Sequence, residues 1–115
     1  DLCDITVLSG DDSLTLPMMS VGAKGIISVS SNLIPGEMSA MVRAALEGDF
    51  AKAYAYHRKY YPFFRDQFVE TNPIPIKAAM AMAGLVAEYR LPLCELSPEH
   101  REKLAATLKR CGILG

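Results

Sequence analysis

The sequence contains no tryptophan, only two histidines and three cysteines, and almost no net charge. With a formal net charge of −1 and a pI near 6.1, the chain lacks the basic surface that binding to nucleic acid or an anionic membrane requires. No apolar run approaches the ~18 residues of a membrane span, and the first residues lack the pattern of a signal peptide. We therefore expect neither nucleic-acid nor membrane partners.

The cysteines and histidines are too scattered to form a recognisable site. Cys3, Cys94 and Cys111 are odd in number, far apart and without a CxxC pair, which favours free, buried thiols in a reducing cytoplasm. His57 and His100 have no ligand partner at the spacing of a zinc pattern, so we expect surface or partly packed side chains. We expect no metal and no cofactor.

The composition is that of a folded domain. Half of the 115 residues are hydrophobic and 22% are charged, which excludes a disordered chain. This length is enough for one domain with a modest core, or for part of a larger domain. Because position 1 is Asp rather than Met, we expect a processed chain or a fragment.

The beginning of the chain has the pattern of a strand, a helix and a second strand. The apolar runs at 5–8 and 25–30 predict two buried strands. Residues 12–21 predict a helix between them, with Asp11 or Asp12 as its N-cap. Because the joins are short, the two strands are expected to be parallel neighbours in one sheet.

The rest of the chain predicts helices only. Two strands cannot form an independent parallel sheet that is covered on both faces. We therefore expect the end of a larger α/β domain over 1–34, and its last helix with a helical appendage over 35–115. The helices are expected from Pro35 to Gly48, over 50–69 with Asp49 as N-cap and Pro62 inside, over about 75–83, and from Ser97 and Pro98 to Gly112.

Small polar residues follow the second predicted strand and mark the most promising site. Ser30, Ser31 and Asn32 stand where α/β proteins place groups around a bound ligand, at the carboxyl end of a strand. Gly10 ends the neighbouring strand, and a glycine lets a ligand approach the backbone closely. These residues define a place but supply no catalyst.

The other chemical candidates have simpler interpretations. Asp11 and Asp12 could do acid–base work or hold a metal, but a helix N-cap accounts for them. Lys24 and Lys77 could form an imine with a keto substrate only if they were buried with a lowered pKa, and a solvated lysine is the default. There is no GxSxG elbow for nucleophilic serine chemistry and no phosphate-binding glycine loop. Helix packing or a subunit contact, rather than base stacking, explains the aromatic cluster Tyr54, Tyr56, Tyr60, Tyr61, Phe63 and Phe64.

Four segments together resemble the C-terminal part of the dihydrodipicolinate synthase family. They are VLSGDD at 7–12, GAKGIISVSSN at 22–32, ETNPIPIKAAM at 70–80 and YRLPL at 89–93. The resemblance implies an α/β fold, in which 5–8 and 25–30 are the last two strands of a (β/α)8 barrel that a C-terminal helical domain follows. It also implies a tetrameric lyase of lysine and diaminopimelate biosynthesis that condenses pyruvate, held as a Schiff base on a lysine, with aspartate semialdehyde.

The resemblance assigns site residues as well. Ile27 would contact pyruvate through its backbone, Gly10 would line the same pocket, Asn72 would lie near its entrance, and Asn32 would have a structural role. The Schiff-base lysine would lie upstream of Asp1, so the chain alone is predicted to be inactive. Neither Lys24 nor Lys77 aligns with that lysine.

Two alternatives remain open at this point. One is another pyruvate aldolase of the same superfamily, such as an N-acetylneuraminate lyase or a keto-deoxy-gluconate aldolase. The other is a non-catalytic helical assembly module, in which apolar residues of the first helix (Met18, Met19 and Val21) would form a subunit contact.

Overall fold

The computed structural model describes residues 3–85 and 87–115, and its regular structure is helical. Within these residues, no helix is both long enough and apolar enough to span a membrane. Short 3-10 turns lie at Asp12–Leu14 and Ser30–Asn32. The α-helices are α1 (Thr15–Ser20), α2 (Pro35–Leu46), α3 (Phe50–Asp66), α4 (Ile74–Met82) and α5 (Pro98–Arg110).

The two segments predicted to be strands run side by side but do not form regular strands. A single parallel bridge joins Ser9 to Ile26. The backbone N–H of Ser9 donates to the Gly25 carbonyl at 2.8 Å, and the N–H of Ile27 donates to the Ser9 carbonyl at 2.9 Å. The predicted parallel neighbourhood is therefore confirmed, whereas the predicted length of the strands is wrong.

The prediction that both strands are buried is also wrong. Ile5 is 70% exposed and Ile27 is 72% exposed. A parallel sheet buries its side chains only where further strands and helices cover both faces, and the described residues supply no other strand to do so. An apolar, β-branched run predicts the burial that a strand has in a complete sheet. The described residues do not form such a sheet, so these side chains are exposed.

The helix termini follow the local signals in the sequence at most positions. Two predicted bounds are wrong: residues 12–21 form the turn Asp12–Leu14 followed by the short α1, and α3 ends at Asp66 rather than at 69. Pro35 and Pro98 occupy the first turns of α2 and α5, and the Asp49 carboxylate accepts a hydrogen bond from the Lys52 N–H at 2.9 Å. Ser97 is the N-cap residue of α5 as predicted, but its side chain accepts no capping hydrogen bond. Its hydroxyl and its backbone N–H both donate to the Glu70 carboxylate, at 2.6 Å and 3.2 Å.

The core lies among the four longer helices. α2 packs against α3, and α5 packs against both α3 and α4. Met41 of α2, Phe63 of α3 and Leu104 of α5 are fully buried there. Burial of apolar surface at such positions is the main source of stability in a chain of this size.

Two expectations about individual side chains need correction. Cys111 is free and buried as predicted, but Cys3 and Cys94 are free and exposed, because they lie in irregular segments outside the helical core. Val21, the C-cap residue of α1, is 86% exposed, whereas Met19 on α1 is buried in the core and is not available for a subunit contact.

Candidate functional site

The candidate site is formed where the two paired segments end. Beyond Ser9, the chain turns through Gly10 into the turn at Asp12–Leu14, and beyond Ile27 it turns into Ser30–Asn32. The hydrogen bond from the Ile27 N–H to the Ser9 carbonyl holds these two turns side by side. The small polar residues that the sequence places after each segment therefore meet at one end of the pair.

Asp11 is the N-cap of the first turn. Its carboxylate accepts hydrogen bonds from the Ser13 N–H at 2.7 Å, from the Ser13 hydroxyl at 2.6 Å and from the Leu14 N–H at 3.2 Å. The Asp11 carbonyl accepts a further hydrogen bond from the Thr15 hydroxyl at 2.9 Å. The capping interpretation of the Asp11-Asp12 pair is thus confirmed for Asp11.

Asp12 has a different role, because its side chain is only 1% exposed and points into the molecule. Its carboxylate accepts hydrogen bonds from the Ser28 hydroxyl, from the Ser30 N–H at 3.1 Å and from Nε2 of Gln67 at 2.7 Å. The Ser30 hydroxyl donates to Oε1 of Gln67 at 3.0 Å, which closes a ring of three residues. We call these three residues, together with the half-buried Ser28 that donates to the same carboxylate, the buried ring.

The buried ring shapes the turn that follows Ile27. The Ser28 hydroxyl accepts a hydrogen bond from the Ser31 N–H at 2.9 Å, and the Ser31 hydroxyl donates to the Ser28 carbonyl at 3.0 Å. The Asn32 side chain donates to the Val29 carbonyl at 2.9 Å. The serines at 28 to 31 therefore satisfy backbone and carboxylate partners within the turn.

The residues that the resemblance assigns to substrate binding lie at different places. Gly10 and Ile27 are exposed and belong to the two paired segments. Asn72 is also exposed, but it lies on the connection between α3 and α4. Among the described residues, no hydrogen bond joins Asn72 to Gly10 or Ile27.

A cleft of about 450 Å³ lies beside the second segment. Gly25, Ile26 and Ser28 form one wall, and α2 contributes Met38 and Arg43 to the other. Neither Gly10 nor Ile27 lines this cleft.

Neither lysine has the environment that imine formation needs. Lys24 is exposed, and Lys77 is half-buried with its ammonium group donating to the Glu88 carbonyl at 2.9 Å. A nucleophilic lysine needs a desolvated or cationic surrounding that favours its neutral form. The interpretation of both as ordinary lysines fits these environments.

The histidines are partly packed, as the sequence suggested. His57 lies against Tyr61 and Phe64, with ring centroids 5.5 Å and 6.0 Å away, and burial lowers the pKa of its imidazole. His100 lies on α5 with Nδ1 2.7 Å from the Glu70 carboxylate. Across the described part of the chain, no three His, Cys, Asp or Glu side chains gather as metal ligands would.

A second polar cluster connects α3 to α5. Asp66 is 1% exposed, and its carboxylate accepts hydrogen bonds from the Thr107 hydroxyl at 2.6 Å and from Nε of Arg65 at 2.7 Å. Burial alone would raise the pKa of Asp66, but these bonds and the charges of Arg65 and Lys103 outweigh it and leave the pKa below its usual value. Hydrogen bonds from Ser97 and His100 similarly lower the pKa of Glu70.

Sequence reasoning missed two members of the buried ring, Ser28 and Gln67. Gln67 follows α3 in the sequence and carries no motif, so only its 0% exposure in the fold reveals it. The serines that follow Ile27 in the sequence indicate a polar cluster. They do not indicate that Gln67, at the C-cap of α3, bonds to it.

The fold and these turns define the chain as the end of an α/β domain with helices packed after it, and comparison with known proteins identifies the family. The model of the dihydrodipicolinate synthetase family matches residues 3–111. The chain belongs to this family.

Individual relatives agree with this assignment. The 4-hydroxy-tetrahydrodipicolinate synthase of Methanocaldococcus jannaschii is 53% identical over 111 residues, which cover 96% of this chain and 38% of the relative. The crystal structure of dihydrodipicolinate synthase from Aquifex aeolicus is 53% identical, with a TM-score of 0.90, and the match covers 95% of this chain and 38% of that one. The chloride-inhibited synthase from Acinetobacter baumannii, solved with pyruvate, is 37% identical, with a TM-score of 0.89, over 96% of this chain and 38% of that one.

The chain thus spans about 38% of the length of these relatives, at their C-terminal end. The predicted fold class, the end of a (β/α)8 barrel with a C-terminal helical domain, is confirmed by the match to these structures. The resemblance to this family, inferred from the four sequence segments, is confirmed as well.

Proposed function

We propose that this chain is the C-terminal part of a lyase that condenses pyruvate with aspartate semialdehyde in lysine and diaminopimelate biosynthesis. Pyruvate is held as a Schiff base on a lysine that lies in the part of the enzyme preceding Asp1. This chain supplies one wall of the pyruvate pocket and no catalytic group. By itself it is inactive.

Three residues contribute to substrate binding in this proposal. Ile27 contacts pyruvate through its backbone, Gly10 lines the pocket from the neighbouring segment, and Asn72 lies near the entrance. The observation that carries the proposal is the hydrogen bond between the Ile27 N–H and the Ser9 carbonyl, which sets Ile27 beside the segment of Gly10. The Ile27 carbonyl accepts no hydrogen bond from the described residues, which supports a role in holding a ligand.

The proposal also covers the organisation of the complete protein. Residues 1–34 complete the barrel, and residues 35–115 form its last helix and the C-terminal helical domain. The complete protein is a cytoplasmic homotetramer, and Val21, an exposed apolar residue at the C-cap of α1, is available for a subunit contact.

The test requires a complete barrel, which a fusion provides. This chain replaces the matching C-terminal region of the M. jannaschii relative, with which it is 53% identical. We expect the fusion to consume pyruvate when aspartate semialdehyde is present, whereas this chain alone consumes none. A folded fusion that consumes neither substrate would contradict the proposal.

Gly10→Ala then tests the pocket wall without disturbing the fold. A Cβ at Gly10 meets nothing within 4 Å in this chain, so the substitution leaves folding unchanged. In the fusion, the added methyl group enters the pocket, and we expect the KM for pyruvate to rise about tenfold. Gly36→Ala is the matched control, because its Cβ also meets nothing within 4 Å and it lies on α2, away from the pocket. Equal KM values for pyruvate in the two variants would contradict the assignment of Gly10 to the pyruvate pocket.

A further inference from the structure

The buried ring contains a carboxylate that no step of the proposed reaction uses. Asp12 is 1% exposed, and its three hydrogen-bond donors are neutral: the Ser28 hydroxyl, the Ser30 N–H and the Gln67 amide. Within the described residues, no ion pair involves Asp12. Burying a carboxylate costs free energy unless it accepts hydrogen bonds. The groups that donate these bonds to Asp12 are therefore held firmly in place.

The backbone is held on both sides of Ile27, and the buried ring supplies the hold on the carboxyl side. On the amino side, the Ile27 N–H donates to the Ser9 carbonyl at 2.9 Å. On the carboxyl side, Ser28 and Ser30 are both bonded to Asp12. Asp12 lies on the turn that follows Gly10, so a single side chain ties both turns of the candidate site together.

Gln67 connects this ring to the helical part of the chain. It follows α3, is 0% exposed, and bonds to Asp12 at 2.7 Å through its amide nitrogen and to Ser30 at 3.0 Å through its amide oxygen. Because a glutamine amide offers both a donor and an acceptor, it bridges the carboxylate and the hydroxyl in one orientation. The end of α3 is thereby attached to the turn that follows Ile27.

We propose that Asp12 is a positioning residue, which acts with Gln67 to fix the backbone of Ile27, whose carbonyl has no partner among the described residues, in the orientation that contacts the 2-oxo acid pyruvate. This inference rests on the proposed function, because it uses Ile27 as the pyruvate contact. Asp12 touches no substrate and transfers no proton. The helical part of the chain, through Gln67, thereby sets the affinity for the first substrate.

The first measurement needs no catalytic activity and uses this chain directly. In Asp12→Asn the new amide nitrogen either faces the Ser30 N–H and the Gln67 amide or reverses the bond with the Ser28 hydroxyl. In both cases the charge that strengthens the three bonds is lost, so the ring is weakened. We expect amide hydrogen exchange at Ile27 and Ser30 to become at least about tenfold faster, since local opening becomes easier. Asp66→Asn is the matched control, because Asp66 is equally buried but bonds to Thr107 and Arg65. It leaves exchange at Ile27 and Ser30 within about twofold of the unchanged chain.

The second measurement uses the fusion and separates positioning from general destabilisation. Asp12→Asn raises the KM for pyruvate about tenfold and leaves the KM for aspartate semialdehyde within about twofold. Gln67→Leu raises the KM for pyruvate in the same direction, and the double variant is no worse than Asp12→Asn alone, because both residues act through one ring. Asp66→Asn changes neither constant. If Asp12→Asn does not fold, Gln67→Leu serves as the test with the same control.

Each outcome bears on a distinct claim. Equal effects of Asp12→Asn and Asp66→Asn on the KM for pyruvate would overturn the positioning role, and so would faster exchange at Ile27 with an unchanged KM. If the fusion without substitutions fails to use pyruvate while the relative itself does, the proposed function fails and the substrate part of this inference fails with it. Unchanged exchange at Ile27 in the Asp12→Asn chain would overturn the inference regardless of activity.

Discussion

The hydroxyl of Thr107 on α5 donates a hydrogen bond to the buried carboxylate of Asp66 at the end of α3, over 2.6 Å. Both side chains lie within the packing of these two helices. The bond therefore attaches the last helix of the chain to the helix whose end carries Gln67. Asp66, which holds α5, and Gln67, which bonds to Asp12, are therefore neighbours at the end of α3, but each serves a different contact.

Removing the Thr107 hydroxyl tests this attachment. Thr107→Val keeps the shape of the side chain but leaves the Asp66 carboxylate with one donor fewer, so we expect the free energy of unfolding to fall by about 1–3 kcal/mol. Urea denaturation followed by circular dichroism measures the change. Thr71→Val, at an exposed position, is the control and should leave the urea midpoint unchanged. Equal stability of both variants would show that the Asp66–Thr107 bond contributes nothing net.

The two carboxylates that hold α5 predict a dependence of stability on pH. The pKa values of Asp66 and Glu70 are lowered from their usual values of 3.8 and 4.5. A carboxyl group whose pKa is lower in the folded state binds fewer protons than in the unfolded state, so its contribution is complete above the usual pKa and is lost as the pH falls through the folded value.

We expect the urea midpoint to begin to fall below about pH 6.5, because the lowered pKa of His57 keeps its imidazole neutral in the folded chain, and to fall further below the usual pKa values of Asp66 and Glu70. The double variant Asp66→Asn/Glu70→Gln should have a lower midpoint at neutral pH and a weaker decline in acid, whereas Glu102→Gln, an exposed position on α5, should follow the unchanged chain. An equally steep decline in the double variant would assign the acid sensitivity to other groups.

The three thiols are expected to react at different rates. Cys3 and Cys94 are exposed, whereas Cys111 is buried and burial raises the pKa of its thiol. Because the thiolate is the nucleophile, Cys111 should react with an aromatic disulfide reagent much more slowly than the other two. Peptide mapping after partial reaction identifies the order. All three should react alike in denaturant, and rapid labelling of Cys111 in the folded chain would contradict its burial.

Two glycines are expected to respond to alanine with opposite signs. Gly48, between α2 and α3, has φ +85°, where a side chain is strained, so Gly48→Ala should lower stability by about 1–2 kcal/mol. Gly36 lies in the first turn of α2 with open space around its Cβ, so Gly36→Ala should raise stability by about 0.5–1 kcal/mol. Thermal unfolding compares the two variants, and a loss at Gly36 equal to that at Gly48 would refute the argument.

The sequence predicts local features of this chain better than long-range ones. Helix starts are local features: the caps at Asp11 and Asp49 and the prolines of α2 and α5 act within one helical turn. These residue types are typical of helix starts, so the sequence predicts them. The pairing of the Ser9 and Ile26 segments follows from a short connection, which leaves the two segments little freedom except to lie side by side.

What the sequence could not predict depends on residues far apart in the chain. Ile27 is exposed because the described residues supply no strands to cover it. An apolar pattern does not predict whether such strands are present. Gln67 bonds to Asp12 across 55 positions, and glutamine after a helix has no characteristic signal. The bond from the Ser97 hydroxyl to Glu70 joins residues 27 positions apart, and only the fold brings them together.

The most direct test of the proposed function is trapping with pyruvate and borohydride, followed by peptide mapping. A Schiff base between pyruvate and a lysine is reduced to a stable amine, which marks the lysine that formed it. We expect no adduct on this chain alone, and in the fusion we expect an adduct on a lysine of the preceding part, with none on Lys24 or Lys77. An adduct on Lys24 or Lys77, or an unlabelled fusion beside a labelled M. jannaschii relative, would contradict the assignment of this chain as the non-catalytic wall of a pyruvate site.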